Sequence, residues 1–238
     1  MKKTVVIYLI LLVWALCACE KDLPHDSNAD AQGHMPATSI TSKANEQVLE
    51  ELPFSHEQDF EDSRRGLIAT DPNLRVRNKK GKIIWDQPAY TFIKGAAPPS
   101  VNPSLWRQAK LNNIHGLFKV TEGIYQLRGF CLANLTLIDG KSGWIVVDPL
   151  MTRETMSRAL DFARKHLKDR PVSAVILTHS HIDHFGGVAA LFKEEILQKP
   201  HIPVIAPKGF IEEATSENVI AGIAMSRRAG YMYGKNLS

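Results

Sequence analysis

Three histidines and an aspartate fall within six positions of the segment HSHIDHFGG, residues 179–187. Imidazole nitrogen and carboxylate oxygen are donors that zinc and similar borderline divalent metals accept. His179 and His181, two apart on an extended loop, can direct their imidazoles to one centre. Asp183 and His184, at the turn into a helix, can serve a neighbouring one. Gly186 and Gly187 remove side chains where the backbone has to pass close to such a site. His179, His181, Asp183 and His184 are therefore the candidate metal ligands. The alternative for the same residues is a polar loop of hydrogen-bonded histidines.

Elements on both sides must hold this loop. The apolar run PVSAVILT ahead of it reads as a buried strand, FGGVAALFKEEIL as a helix beginning near Gly186, and HIPVIAP as a further strand. A ligand loop just past the C-terminal end of a strand is where α/β folds place their sites. Upstream, GLFKVTEGIYQLRG and NLTLIDGKSGWIVVDP read as strand pairs turning at Glu122-Gly123 and Asp139-Gly140. TRETMSRALDFARKHL has helical spacing with Thr152 as N-cap. Strand, helix, strand, helix, strand predicts a layered α/β domain over residues 116–238. Residues 46–115 hold two short helical pieces, a hairpin at Lys80-Gly81 and the segment AAPPSVNPSLW, whose prolines exclude long regular elements. They read as an irregular extension packing along that domain.

The chain has 238 residues, 44% hydrophobic and 23% charged, enough for one large domain or two small ones. Its net charge of +4 is scattered among acids rather than gathered into a basic stripe, so nucleic acid is not an expected partner. The first residues, MKKTVVIYLILLVWALCAC, have two lysines, an apolar run from Val5 to Leu16 and then small or sulfur-bearing residues. That shape predicts a signal peptide over residues 1–18 rather than a membrane-spanning helix. Leu16-Cys17-Ala18-Cys19 resembles the bacterial lipobox, which implies a lipid on Cys19, and Glu20 after it favours an outer-membrane lipoprotein facing the periplasm. Residues 19–45 are polar and without apolar periodicity, a tether in which His25 and His34 read as solvated. Cys131 has no cysteine at metal-binding spacing and reads as a small buried residue.

THSHIDHFGG resembles the signature of the metallo-β-lactamase superfamily, and Asp148, ending the strand WIVVDP, matches that fold's earlier aspartate. The resemblance implies an αββα sandwich with a hydrolytic site for one or two metal ions. It gives Asp148 a supporting role beside the ligand loop and makes Asp183 catalytic as well as a ligand. The stretches LPFSHEQDFEDSRRGLIA, VNPSLWRQAKLNNIHGLFKVTEGIYQLRG and SENVIAGIAMSRRAGYMYG resemble the alkyl sulfatases more narrowly. That implies two zinc ions, a small amphiphilic sulfate ester such as dodecyl sulfate as substrate, C–O cleavage, an apolar groove for the tail and a homodimer. Two segments depart from the family pattern: Cys131-Leu132-Ala133-Asn134 stands where Asp-x-Ser-Asn is usual, and Ile223 stands where AGNAM has its asparagine. The family also takes two glutamates and a histidine from farther along. Here His201 reads as exposed, Glu194, Glu195, Glu212, Glu213 and Glu217 as helix-face charges, and Arg227 and Arg228 as surface residues. The expectation is thus the N-terminal half of the sandwich, an incomplete 116–238 domain without the dimerisation region. Another hydrolase of this fold, acting on a lactam, thioester or phosphoester, and a non-catalytic lipoprotein remain the alternatives.

Overall fold

The computed structural model describes residues 35–192 and 202–233, with Ala29 alone ahead of them. The signal segment, Cys19, His25 and His34, and also Glu194, Glu195 and His201, lie outside the described residues. Among the described residues no helix is long and apolar enough to cross a membrane.

Helix α1, Ser39–Glu51, begins inside the stretch read as tether. Its polar residues hide the signal, but the Thr38 hydroxyl accepts the Thr41 N–H and caps the helix, and neither glycine nor proline interrupts it. Helix α2, Gln58–Arg64, carries Asp59 and Glu61 in its first turn and Arg64 in its last, complementing its dipole. Helix α3, Pro103–Asn112, grows out of the proline-bearing segment: Pro103 occupies the first turn, where its missing N–H costs nothing, and Asn102 accepts from the Ser104 N–H. Arg107 of α3 grips Asp59 of α2, with Nη2 to Oδ1 at 2.6 Å and Nε to Oδ2 at 3.2 Å. Those hydrogen bonds hold the Asp59 carboxyl below its ordinary pKa.

The central element is a seven-stranded sheet in the order β1-β4-β5-β6-β7-β8-β9. Its strands are β1 Leu67–Ala69, β4 Gly116–Thr121, β5 Ile124–Arg128, β6 Leu135–Asp139, β7 Trp144–Val147, β8 Val172–Ile176 and β9 Val204–Ile205. Pairing is antiparallel from β1 through β7 and parallel from β7 through β9. A separate hairpin joins β2, Arg75–Arg77, to β3, Ile83–Asp86, with Gly81 at φ 78° in its turn. The molecule is thus mixed α/β with one large sheet.

Alternation places the core on one face of that sheet. Leu135, Leu137, Trp144 and Val146 are buried, while Ile138, Ile145 and Val147 between or beside them are only half-buried. Helix α4, Arg153–His166, covers the buried face with Met156, Ala159, Leu160, Phe162 and Ala163. Thr152 and Thr155 close a reciprocal capping box at its start. Leu74 and Val76 of the preceding segment reach the same core, and β1 extends the sheet, so residues before 116 contribute to both.

Of the helix read from Gly186 onward, residues 186–192 take another form, and residues 193–197 lie outside the described residues. Helix α5 is Ile182–Phe185, and a 3₁₀ turn at Val188–Ala190 follows the two glycines. A Cβ on Gly186 would lie 2.2 Å from the Met151 carbonyl oxygen, and one on Gly187 2.1 Å from that of Pro149. Both glycines are needed for close packing against the exit of β7. Helix α6, Phe210–Thr215, a π-helical turn at Ser216–Ile220 and helix α7, Gly222–Met232, complete the described chain.

Candidate metal centre

Parallel register sets the site. Val147 pairs with Ile176, so β7 and β8 run out at the same edge and deliver Asp148 and Thr178 side by side. Asp148 has φ 55° and Leu150 φ 61°, left-handed conformations unusual outside glycine. The turn is held by Leu150 N–H donating to the Asp148 carbonyl at 2.8 Å, and by Gly187 N–H donating to the Leu150 carbonyl at 2.8 Å. It leaves the Asp148 side chain buried, 7% exposed, and aimed across at the ligand loop.

Both Asp148 oxygens are in use. Oδ1 accepts the Thr178 N–H at 2.8 Å, and Oδ2 lies 2.7 Å from Thr178 Oγ1 and 2.8 Å from His184 Nδ1. The Thr178 hydroxyl has one proton, which goes to the carboxylate, so at 2.9 Å it accepts from His179 Nδ1. That leaves the His179 Nε2 lone pair free, and it faces His181 Nδ1 at 3.1 Å. In the same way Asp148 holds His184 Nδ1 and leaves Nε2 free, 3.4 Å from Asp183 Oδ2.

Two donor pairs result, His179 with His181 and Asp183 with His184. Nitrogens bound to one tetrahedral zinc at about 2.0–2.1 Å are about 3.3 Å apart, so both separations suit ligands sharing an ion. Nearest-atom geometry alone groups Asp148, His179 and His184, whose donor atoms lie within 4.8 Å of one another. Both oxygens of Asp148 already accept from Thr178 and His184, an arrangement suited to orienting a ligand loop. The four motif residues and Asp148 are thus brought together at one sheet edge, and the residues present fit a divalent metal.

Other candidates separate from the site. Glu212, Glu213, Arg227 and Arg228 are exposed, and Cys131 is a buried free thiol. Glu217 is different: its Oε1 lies 3.6 Å from His181 Nε2. Its side chain is only 25% exposed, so it is not a solvated helix-face charge, and it sits within the π turn of residues 216–220. No periodicity in SENVIAG signals that turn. A cleft of about 580 Å³ lies elsewhere, lined by Trp85, Tyr90, Arg128, Leu132 and Asn134 among others and by none of the motif residues. Arg128 is half-buried there, and loss of water lowers its pKa.

Residues 128–224 match the metallo-β-lactamase superfamily. Over 209 residues the chain is 49% identical to a linear primary-alkylsulfatase of Pseudomonas sp., covering 87% of this chain and 31% of that one. It is 45% identical over 207 residues to an (R)-specific secondary-alkylsulfatase of Pseudomonas sp., again 87% of this chain and 31% of the other. An alkyl/aryl-sulfatase of Saccharomyces cerevisiae is 44% identical over 199 residues, 83% of this chain and 31% of that protein. The solved structure of a stereoselective inverting sec-alkylsulfatase from Pseudomonas sp. superposes with a TM-score of 0.78 at 47% identity, over 82% of this chain and 31% of that one. The chain therefore spans about a third of the length of the relatives it matches. The chain is thus similar to the metallo-β-lactamase superfamily over residues 128–224 and resembles the alkylsulfatases across most of its length.

Proposed function

We propose that this chain carries the metal-binding edge of a hydrolase of primary alkyl sulfate esters. The observation that carries this reading is the identity of 44 to 49% to three alkylsulfatases over most of the chain. His179, His181, Asp183 and His184 would hold two zinc ions, the metal favoured by mixed nitrogen and oxygen donors. Bound there, zinc supplies Lewis acidity, which makes water nucleophilic at neutral pH and offsets charge on the departing sulfate.

The chain's own residues do the positioning. Thr178 and Asp148 fix which nitrogens of His179 and His184 are free. Asp183, a ligand through one oxygen, has the other to accept a proton from the attacking water. Water attacks the ester carbon, the new C–O bond forms as the old one breaks, and its electron pair leaves with sulfate. Alcohol, sulfate and a proton are the products. The substrate is a small amphiphilic ester with an apolar tail.

Purified protein with added zinc, incubated separately with dodecyl sulfate and a secondary alkyl sulfate, tests this by ion chromatography of released sulfate. Release from dodecyl sulfate, lost in a His179→Ala/His181→Ala variant, is expected. No release from either ester overturns the activity, and release from the secondary ester alone overturns the preference for primary esters. A second reading, metal binding without turnover, draws on the donor count: among the described residues each pair supplies two of the four ligands that tetrahedral zinc takes. We also propose, from the sequence MKKTVVIYLILLVWALCAC, that the protein is exported and lipidated at Cys19. Radiolabelled palmitate incorporation abolished by Cys19→Ala is the expected result.

A further inference from the structure

We propose that Glu217 is a positioning residue for His181, giving the metal centre a second carboxylate-imidazole pair beside Asp148 and His184. The inference rests on the reading that His179 and His181 share an ion. His181 turns Nδ1 toward His179 Nε2 at 3.1 Å, so its other nitrogen points away from that pair. That nitrogen, Nε2, faces Glu217 Oε1 at 3.6 Å. Imidazoles that ligate a metal generally donate their second N–H to a carboxylate, carbonyl or water, which fixes tautomer and ring orientation. Asp148 already does this for His184 at 2.8 Å.

The local chain conformation points the same way. The Glu217 side chain is 25% exposed, whereas Val219 is 74% and Ile220 80% exposed. An acid turned inward beside aliphatics turned outward reverses the usual preference for burial. The reversal occurs on a π turn, closed by Ala221 N–H donating to the Ser216 carbonyl at 2.9 Å, and such turns cluster at functional sites. The segment is seated on the ligand loop by Phe210, whose ring meets Phe185 of α5 edge-on at 5.3 Å. At 3.6 Å the pair stands just beyond hydrogen-bond distance.

Cobalt(II) titration followed by visible absorption, with zinc competition for affinity, tests this on the whole chain. Glu217→Leu is expected to weaken metal binding about 10- to 100-fold and to change the ligand-field bands. Glu217→Gln, which can still accept from Nε2–H, is expected to recover most of the affinity. In a His181→Ala background, Glu217→Leu is expected to have no further effect. Wild-type affinity in Glu217→Leu, failure of Glu217→Gln to recover affinity, or an equal loss without His181, overturns the assignment. Metal uptake by the wild type reports separately on the underlying reading: no uptake overturns both, whereas uptake unaffected by Glu217→Leu overturns this inference alone.

Discussion

Asp148 makes three polar contacts through two oxygens from a backbone whose φ is 55°. Asparagine tolerates that left-handed conformation but replaces one acceptor by a donor. Asp148→Asn is therefore expected to keep the fold while raising the zinc Kd about 10- to 100-fold, measured by competition with a chromophoric chelator. Unchanged affinity would show that Thr178 and His184 are oriented without it. The candidate ligand residues were legible in the sequence because His179, His181, Asp183 and His184 lie within one short segment whose spacing is itself the signal. Glu217 was not, because its contact with His181 joins two separate elements and depends on a π turn that leaves no mark in residue type.

Capping decides much at the scale of elements. Helix α4 connects β7 to β8, the two strands that deliver the site, and its start is fixed by the Thr152 hydroxyl accepting the Thr155 N–H at 3.1 Å. Thr152→Ala is expected to cost about 1 kcal/mol in denaturant unfolding. A loss much below that would mean that packing of Met156, Leu160 and Phe162 alone sets the helix start. Thr152 was readable as a cap because an apolar helical period follows it directly. Only the first half of helix α1, Ser39 to Asn45, was hidden, and for the opposite reason: the helix buries no residue, so nothing in its pattern there betrays a face. The described start of the helix expected after Gly186 is a 3₁₀ turn, because the paired glycines that fit beneath the Pro149 and Met151 carbonyls weaken helix propagation.

For the whole molecule, metal binding and stability are linked. Ligands that bind the folded state alone add about 2.7 kcal/mol when free metal is 100 times Kd. Zinc at that excess should raise the thermal midpoint by about 5–10 °C, and chelation by EDTA should reverse it. No shift would mean that the donor pairs do not hold metal in the folded protein. The mixed α/β class was legible from strand and helix periods, but the contribution of Leu74, Val76 and β1 to the main body was not, since short strands far from their partners carry no local signature. The sheet also changes direction at β7, and that change has a consequence in time. Strands β4 to β7 pair as successive antiparallel neighbours joined by short turns, whereas β7 and β8 meet in parallel only after the chain has passed through α4. Closing the longer loop costs more entropy before any contact repays it. In refolding, the hairpins are therefore expected to form before Asp148 meets Thr178, so that the candidate metal site is assembled after the sheet it stands on.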